Sequence, residues 1–307
     1  MNAVTTGPLR HVTYFEKHAA GAEANFAVGI SRLGFKAGFV GRFGTDEFGA
    51  YLVSVLRGEG VHMSRVIMDE DASTAVYFVQ RSYPVPEKSS VVYYRKGSAG
   101  SRLSPEDVDA DYIRQCRLFH ITGIMFGLSE SACKASRKAV QEAKRAGAKV
   151  SLDTNIRLRL WSADKAREIL TPMLGTADTV LTDPDDSEIL LNDRDPERII
   201  ASILRMGAST VVVKLGEEGA MAGTRQERAR VEAIKVPTVD PIGAGDAFAS
   251  CFAVQLLRGE SLQRALDAAN ASGALVVMTR GDIENLPATA DLERFLEARR
   301  KGKLVYR

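Results

Sequence analysis

A chain of 307 residues with 45% hydrophobic and 26% charged side chains can bury a full core, and 41 Lys and Arg against 39 Asp and Glu leave a net charge of +2. That balance supplies no field for holding a polyanion along a surface, which argues against nucleic acid as a partner. No apolar run approaches the ~18 residues that span a bilayer, and the N-terminus lacks the basic-then-apolar pattern of a signal peptide, so a cytoplasmic protein without a membrane partner is expected.

Residues 9–18 (LRHVTYFEKH) alternate polar and apolar side chains, as a short strand would. At 20–34 (AGAEANFAVGISRLG) a glycine precedes apolar residues at helical spacing, and GRFGTDEFG follows at 41–49. The stretch 72–97 reads as two β-rich segments, STAVYFVQR and SSVVYYRK, joined by the proline-bearing turn YPVPEK. With 9–18 it is expected to form a small β lid beside the main body. SRLSPEDVD reads as a helix start, with Ser104 as N-cap, Pro105 at the first position, and Glu106 and Asp107 in the first turn, all structural.

From about residue 102 onward, short apolar strands alternate with amphipathic helical stretches, the signature of an α/β fold with a mostly parallel sheet covered on both faces. The strands are LFHIT (118–122), KVSLD (149–153), TVLTD (179–183) and TVVVK (210–214), and the helices include 129–147 and 196–207. In open parallel sheets ligands bind outside the carboxyl ends of the strands, so Thr122, Asp153, Asp183 and Lys214 should face one cleft. Cys116, Cys133 and Cys251 lack CxxC spacing, and His11, His18, His62 and His120 lack metal-ligand spacing; all seven read as structural.

DPIGAGDAFASCFAVQLLRG, from 240 on, carries the sharpest chemical signal. Gly243, Ala244 and Gly245 feed into an apolar helix, so backbone N–H groups and the positive end of the helix dipole gather where a transferred phosphoryl group could sit. Asp246 stands beside that anion hole, placed to accept the proton of an attacking hydroxyl. An isolated GxGD is as often a turn with a capping aspartate. Neither GxxxxGK[ST] nor a GxGxxG after a first strand is present, which excludes a P-loop ATPase and a plain dehydrogenase.

DPIGAGD resembles the DTxGAGD signature of the ribokinase-like (PfkB) carbohydrate kinases, with Pro241 in place of the threonine. AGAEANFAVGISRLG and GRFGTDEFG resemble the N-terminal signature of the same family, and the two together span most of the chain. The resemblance implies one ribokinase-like domain over 1–307, a β lid from about 9–18 and 72–97, and an ATP-dependent sugar kinase with Asp246 as base. Relatives usually open with a strand of the VxxGExLV kind about twenty residues before GPLR; MNAVTT offers none, so that first strand is expected to be missing.

Within the family, GPLRHVTYFEKH, YYRKGSAGSRLSPEDVD, SLDTNIRLRLW and MTRGDIENLP are most similar to kinases of 2-keto-3-deoxygluconate. Carried over, Gly21 and Asn25 would contact sugar hydroxyls, Tyr77 and Tyr93 would line the sugar pocket, and Arg95 and Arg157 would reach an acid end. Asp282 would bind the distal part of the substrate. A substrate carboxylate suits paired guanidinium groups, although arginine is more commonly a solvated surface charge and a strand aromatic more commonly packing. TDPDDSEILL stands where the family has N-x-x-E, with Asp183 for the asparagine and Asp186 for the glutamate, so Asp186 would serve Mg²⁺ through a water. Lys214, Gly216 and Gly219 would contact the nucleotide with Asp183, Gly243 and Gly245, and Asn270 would lie near the adenine.

The expected reaction is phosphorylation of 2-keto-3-deoxygluconate, and of its C4 epimer 2-keto-3-deoxygalactonate, by ATP at the terminal hydroxyl. The alternatives are a kinase for fructose, ribose or adenosine, and a non-catalytic sugar-binding relative. The lid's edges and aromatic residues suit a homodimer or higher homo-oligomer.

Overall fold

The computed structural model describes residues 1–85 and 89–301, so the last part of the expected YPVPEK turn, 86–88, lies outside the described residues. The chain opens with two two-residue strands, β1 (Asn2–Ala3) and β2 (Phe15–Glu16), before helix α1 (Ala22–Arg32), strand β3 (Gly38–Gly44) and helix α2 (Glu47–Gly58). Strands β4 (His62–Asp69), β5 (Val76–Gln80) and β6 (Ser90–Tyr94) follow, then the short helix α3 (Ala110–Ile113). The alternating half runs β7 (Leu118–Thr122), α4 (Gly123–Leu128), α5 (Glu130–Arg145), β8 (Lys149–Asp153), α6 (Ala163–Thr176), β9 (Thr179–Thr182), α7 (Pro184–Leu191), α8 (Pro196–Met206) and β10 (Thr210–Lys214). A hairpin of β11 (Ala220–Gly223) and β12 (Arg228–Val231) leads to helices α9 (Ala244–Arg258), α10 (Leu262–Val276) and α11 (Thr289–Arg300).

The main sheet has the order β12-β11-β10-β9-β8-β7, parallel from β7 to β10 and antiparallel through β11 and β12. Its central strand β10 is apolar on both faces because both are covered. In β10, Val211 and Val213 join one core with Val140 of α5, Leu170 of α6 and Ile203 of α8, whereas Val212 turns to Phe248 and Phe252 of α9 and Leu266 of α10. Successive side chains of a strand point to opposite faces, so a continuous valine run is what a doubly covered strand requires.

α1 packs against α9 and carries its apolar side into two cores at once, Phe26 and Ile30 into one, Ala24, Ala27 and Val28 into the other. β3 pairs with β4 alone and β7 with β8 alone, so among the described residues each ends its sheet.

A separate four-stranded sheet, ordered β2-β1-β5-β6, forms the lid. Its two long strands match the sequence reading. The contribution of 9–18 shrinks to Phe15–Glu16, because Pro8 opens a single tight turn at Leu9–His11. β1 was not expected there: Asn2 and Ala3 pair with Glu16 and Phe15 and join β5 at Val79.

Candidate active site

A cleft of ≈ 1390 Å³ runs between the lid and the carboxyl ends of β7 to β10, with the N-terminus of α9 as its floor. It exceeds the roughly 300–1,000 Å³ that holds one small ligand and so has room for two. Of the four strand ends expected there, Asp183 and Lys214 line it. Thr122 and Asp153 lie one layer deeper, where Thr122 holds Glu23 and Asp153 holds Lys214.

The loop expected to form an anion hole leads directly into the first turn of α9. Gly243 is the N-cap of α9 with φ 82, a left-handed backbone that suits glycine, and a Cβ there would stand 3.0 Å from Asp282 Oδ1. The N–H groups of Gly245 and Asp246, in the first turn, have no intrahelical acceptor and lie at the positive end of the dipole. Ala244 does not line the cleft; its N–H closes the turn on Pro241 O at 3.3 Å. The Lys214 ammonium stands 3.8 Å from where a Gly245 Cβ would be, clamped by Asp153 at 2.8 and 2.6 Å. An ammonium has three N–H donors, so one remains for a phosphate.

Asp246 sits in this floor, bounded by protein except toward the cleft. Asn25 Nδ2 donates to its Oδ2 at 2.7 Å and to Asp282 Oδ1 at 2.6 Å, and Tyr77 OH donates to Asp282 Oδ2 at 2.6 Å. Burial first, and the Asp282 charge second, push the Asp246 carboxyl up to about 8; burial pushes Asp282 up to about 6. A carboxylate so raised is a stronger proton acceptor than an exposed one.

The residues expected to meet an acid end lie on the lid and on the turn after β8. Tyr77 and Tyr93 face each other across β5 and β6 with ring centroids 5.6 Å apart, and the Arg95 guanidinium lies 4.0 Å over the Tyr93 ring. Among the described residues Arg95 Nη2 is buried without a hydrogen-bond partner, and Arg157 is near enough for the two positive charges to oppose each other. Arg157 follows β8 on a turn in which Asn155 adopts φ 34. Gly21, N-cap of α1, lines the same end with φ 134.

Three expected nucleotide or metal residues fall elsewhere. Asp186 does not line the cleft: its Oδ2 accepts from Thr154 Oγ1 at 2.6 Å and Ile156 N at 3.0 Å, which fixes the turn after β8. Asp183 is the N-cap of α7, receiving Asp186 N at 2.8 Å, and with Asp185, whose Oδ1 accepts from Arg194 Nη2 at 2.6 Å, it lines the cleft. Gly219 serves packing, since a Cβ there would stand 2.0 Å from Val231 O. Asn270 spends its amide on Glu232 O at 2.8 Å. Gly216, by contrast, does line the cleft.

Glu23 is the residue the sequence reading passed over. It lines the cleft from the first turn of α1, between Gly21 and Asn25, with Oε1 held by Thr122 Oγ1 at 2.5 Å. Burial, its largest influence, raises its carboxyl above the ordinary range. The only sequence signal was an acid two residues before a predicted sugar-contact asparagine, in a position that also suits a helix N-terminus.

The sequence pattern of the pfkB family carbohydrate kinases matches residues 2–289. The chain is 48% identical over 300 residues to a 2-dehydro-3-deoxygluconokinase of Thermoproteus tenax, covering 97% of this chain and 91% of that one. A Bacillus subtilis protein of the same name is 36% identical, with 96% and 91% covered. Among solved structures, one described as a ribokinase II from E. coli in complex with ATP and Mg²⁺ superposes with a TM-score of 0.90 at 30% identity, with 96% and 95% covered.

Proposed function

Because the chain belongs to the pfkB family of carbohydrate kinases, we propose that it transfers the γ-phosphoryl group of ATP to the terminal hydroxyl of 2-keto-3-deoxygluconate, the 2-dehydro-3-deoxygluconate of its relatives' names. The observation that carries the choice of an acid sugar is the buried Nη2 of Arg95 beside Arg157, without a hydrogen-bond partner among the described residues. A buried guanidinium donor without an acceptor is costly unless a ligand supplies one, and a carboxylate is the group best shaped to do so.

The chemistry follows from the two ends of the cleft. With its carboxylate on Arg95 and Arg157, the sugar acid extends along Tyr77, Tyr93 and Asn25, bringing its far hydroxyl to Asp246. Asp246 accepts the hydroxyl proton as the sugar oxygen bonds to the γ-phosphorus and the bond from that phosphorus to the β-phosphate oxygen breaks, releasing ADP and the 6-phosphate. The first turn of α9 and Lys214 stabilise negative charge on the moving group. We assign Asp183, Lys214 and Gly216, which line the cleft, to the nucleotide.

Among the described residues no three metal-binding side chains converge into a cage. Asp183 and Asp185 suit Mg²⁺, which favours one or two carboxylates, retained waters and the nucleotide's own phosphates. Bound there, Mg²⁺ would neutralise phosphate charge. We also assign the protein to the cytoplasm, in keeping with the absence, among the described residues, of a helix long and apolar enough to cross a membrane.

Replacing Arg95 or Arg157 by alanine tests the acid-sugar reading. KM for 2-keto-3-deoxygluconate should rise about 10- to 100-fold, while KM for fructose or ribose should not change. Equal effects on acid and neutral sugars would remove the carboxylate clamp. Running 2-keto-3-deoxygalactonate in the same series tells whether the clamp alone suffices for both epimers.

A further inference from the structure

The proposed substrate contacts leave one arrangement unused: a single amide group joins two carboxylates. Asn25 Nδ2 has two hydrogens, and they go to Asp246 Oδ2 and Asp282 Oδ1. This leaves Asp246 Oδ1 without a protein partner among the described residues, so the lock on Oδ2 fixes which oxygen meets the incoming hydroxyl. Asp282 is only 3% exposed, and its other oxygen is taken by Tyr77 OH. Both oxygens of Asp282 therefore already face protein donors, which is the geometry of a support for the base.

We propose that Asp282 is a positioning residue for the base, in that with the Asn25 amide it fixes the Asp246 carboxylate and, as a second negative charge, makes it hold the hydroxyl proton more tightly. This extends the role of substrate contact expected for Asp282 and rests on Asp246 being the base.

The groups facing the pair bear on the sign. Around Asp246 stand Asn25 of α1, Asp153 of β8, Lys214 of β10 and Tyr77 of β5; Lys214 opposes the rise, and Asp282 exceeds Asp153 in promoting it. Around Asp282 stand Tyr77, Asn25, Glu284, Asp240 and the Met1 ammonium. Glu284 is in turn paired with His18 Nδ1 at 3.0 Å. Two carboxylates this close release their protons in steps that belong to the pair, with the second held back by the first charge.

The test is the pH profile of kcat and kcat/KM for the wild-type chain, Asp282→Asn, Tyr77→Phe and Asp246→Asn, with ATP saturating. Asp282→Asn keeps an acceptor for Asn25 and can donate to the Tyr77 oxygen, so it disturbs little besides charge. Its acid limb should move about one unit to lower pH, and its alkaline plateau should fall about tenfold because a weaker base takes the proton less readily. Tyr77→Phe keeps the ring contact with Tyr93 but strips a hydrogen bond from the Asp282 anion. Asp282 then holds its own proton longer, so the limb should move the same way by less, even if Asp282→Asn fails to fold. A raised KM or lowered kcat with both limbs unmoved would reduce Asp282 to a substrate contact or a structural residue and overturn the proposal. If Asp246→Asn instead keeps full turnover, the base assignment itself is wrong, an outcome distinct from the first.

Discussion

Asp246 and Asp282 begin from 3.8 as free carboxyls and are raised to about 8 and about 6 in the folded chain, mainly by burial. Folding therefore favours their protonated forms: their contribution to stability is full below pH 3.8 and is lost as pH rises through about 6 and then about 8. Asp246→Asn should consequently be more stable than the wild type at pH 8 by on the order of 1–2 kcal/mol, with the gap closing toward pH 4, as urea unfolding at the two pH values would show. No gap at pH 8 would mean that the carboxylate is not held in the environment described. The same raised value predicts that turnover falls as the medium is acidified through neutrality, since a protonated base cannot accept the hydroxyl proton. At this scale the sequence revealed residue types but not partners. Asp246 was singled out by the glycines that precede it at a helix start, whereas Tyr77 and Arg95 were expected only through the family resemblance. The bridge from Asn25 to both acids was not legible, since it joins residues 221 and 257 positions apart.

At the scale of elements, the loop into α9 separates two glycines with different duties. Gly243 has φ 82 and nearly touches Asp282, so Gly243→Ala should destabilise the fold by about 1–2 kcal/mol and lower kcat. Gly245 lies inside the first helical turn, and a Cβ there would stand 3.8 Å from the Lys214 ammonium, an ordinary contact. Gly245→Ala should leave thermal stability unchanged or slightly higher, alanine being the better helix former, yet lower kcat by placing a methyl where the phosphoryl group is held. Thermal melts beside turnover check both, and parallel losses of stability in the two variants would contradict the division. The helix and its glycine entry were readable from spacing, as were α5, α8 and the four parallel strands, because each repeats a period of two or near 3.6 over many residues. β1 was not: two residues carry no period, and what makes Asn2–Ala3 a strand is pairing with residues 15–16 and with Val79. Asp186 misled for a related reason. A carboxylate in the first turn of α7 reads alike whether it faces a ligand or, as here, secures the Thr154 to Ile156 turn.

Across the whole molecule, the proposed function draws on two bodies of structure meeting at one cleft, with the proposed base on the helix layer and the proposed carboxylate-binding arginines on the lid and the turn after β8. The α/β class and the lid's long strands were visible in the sequence, whereas the sheets' separation and the lid's order depend on long-range pairing. The lid's exposed Tyr14 and Tyr94, at 72% and 66% exposure, suit the homo-oligomer expected from the sequence. Tyr94→Glu should then lower the mass seen by light scattering, and a wild-type chain that is monomeric at high concentration would exclude that assembly. The most direct test of the central claim is ADP release by the wild-type chain with ATP and Mg²⁺ across 2-keto-3-deoxygluconate, fructose, ribose and adenosine, with Asp246→Asn in parallel. The expected result is turnover many-fold faster with the acid sugar and a kcat about 10²- to 10⁴-fold lower in the variant at similar KM. Preference for a neutral sugar, or undiminished turnover in Asp246→Asn, would contradict it.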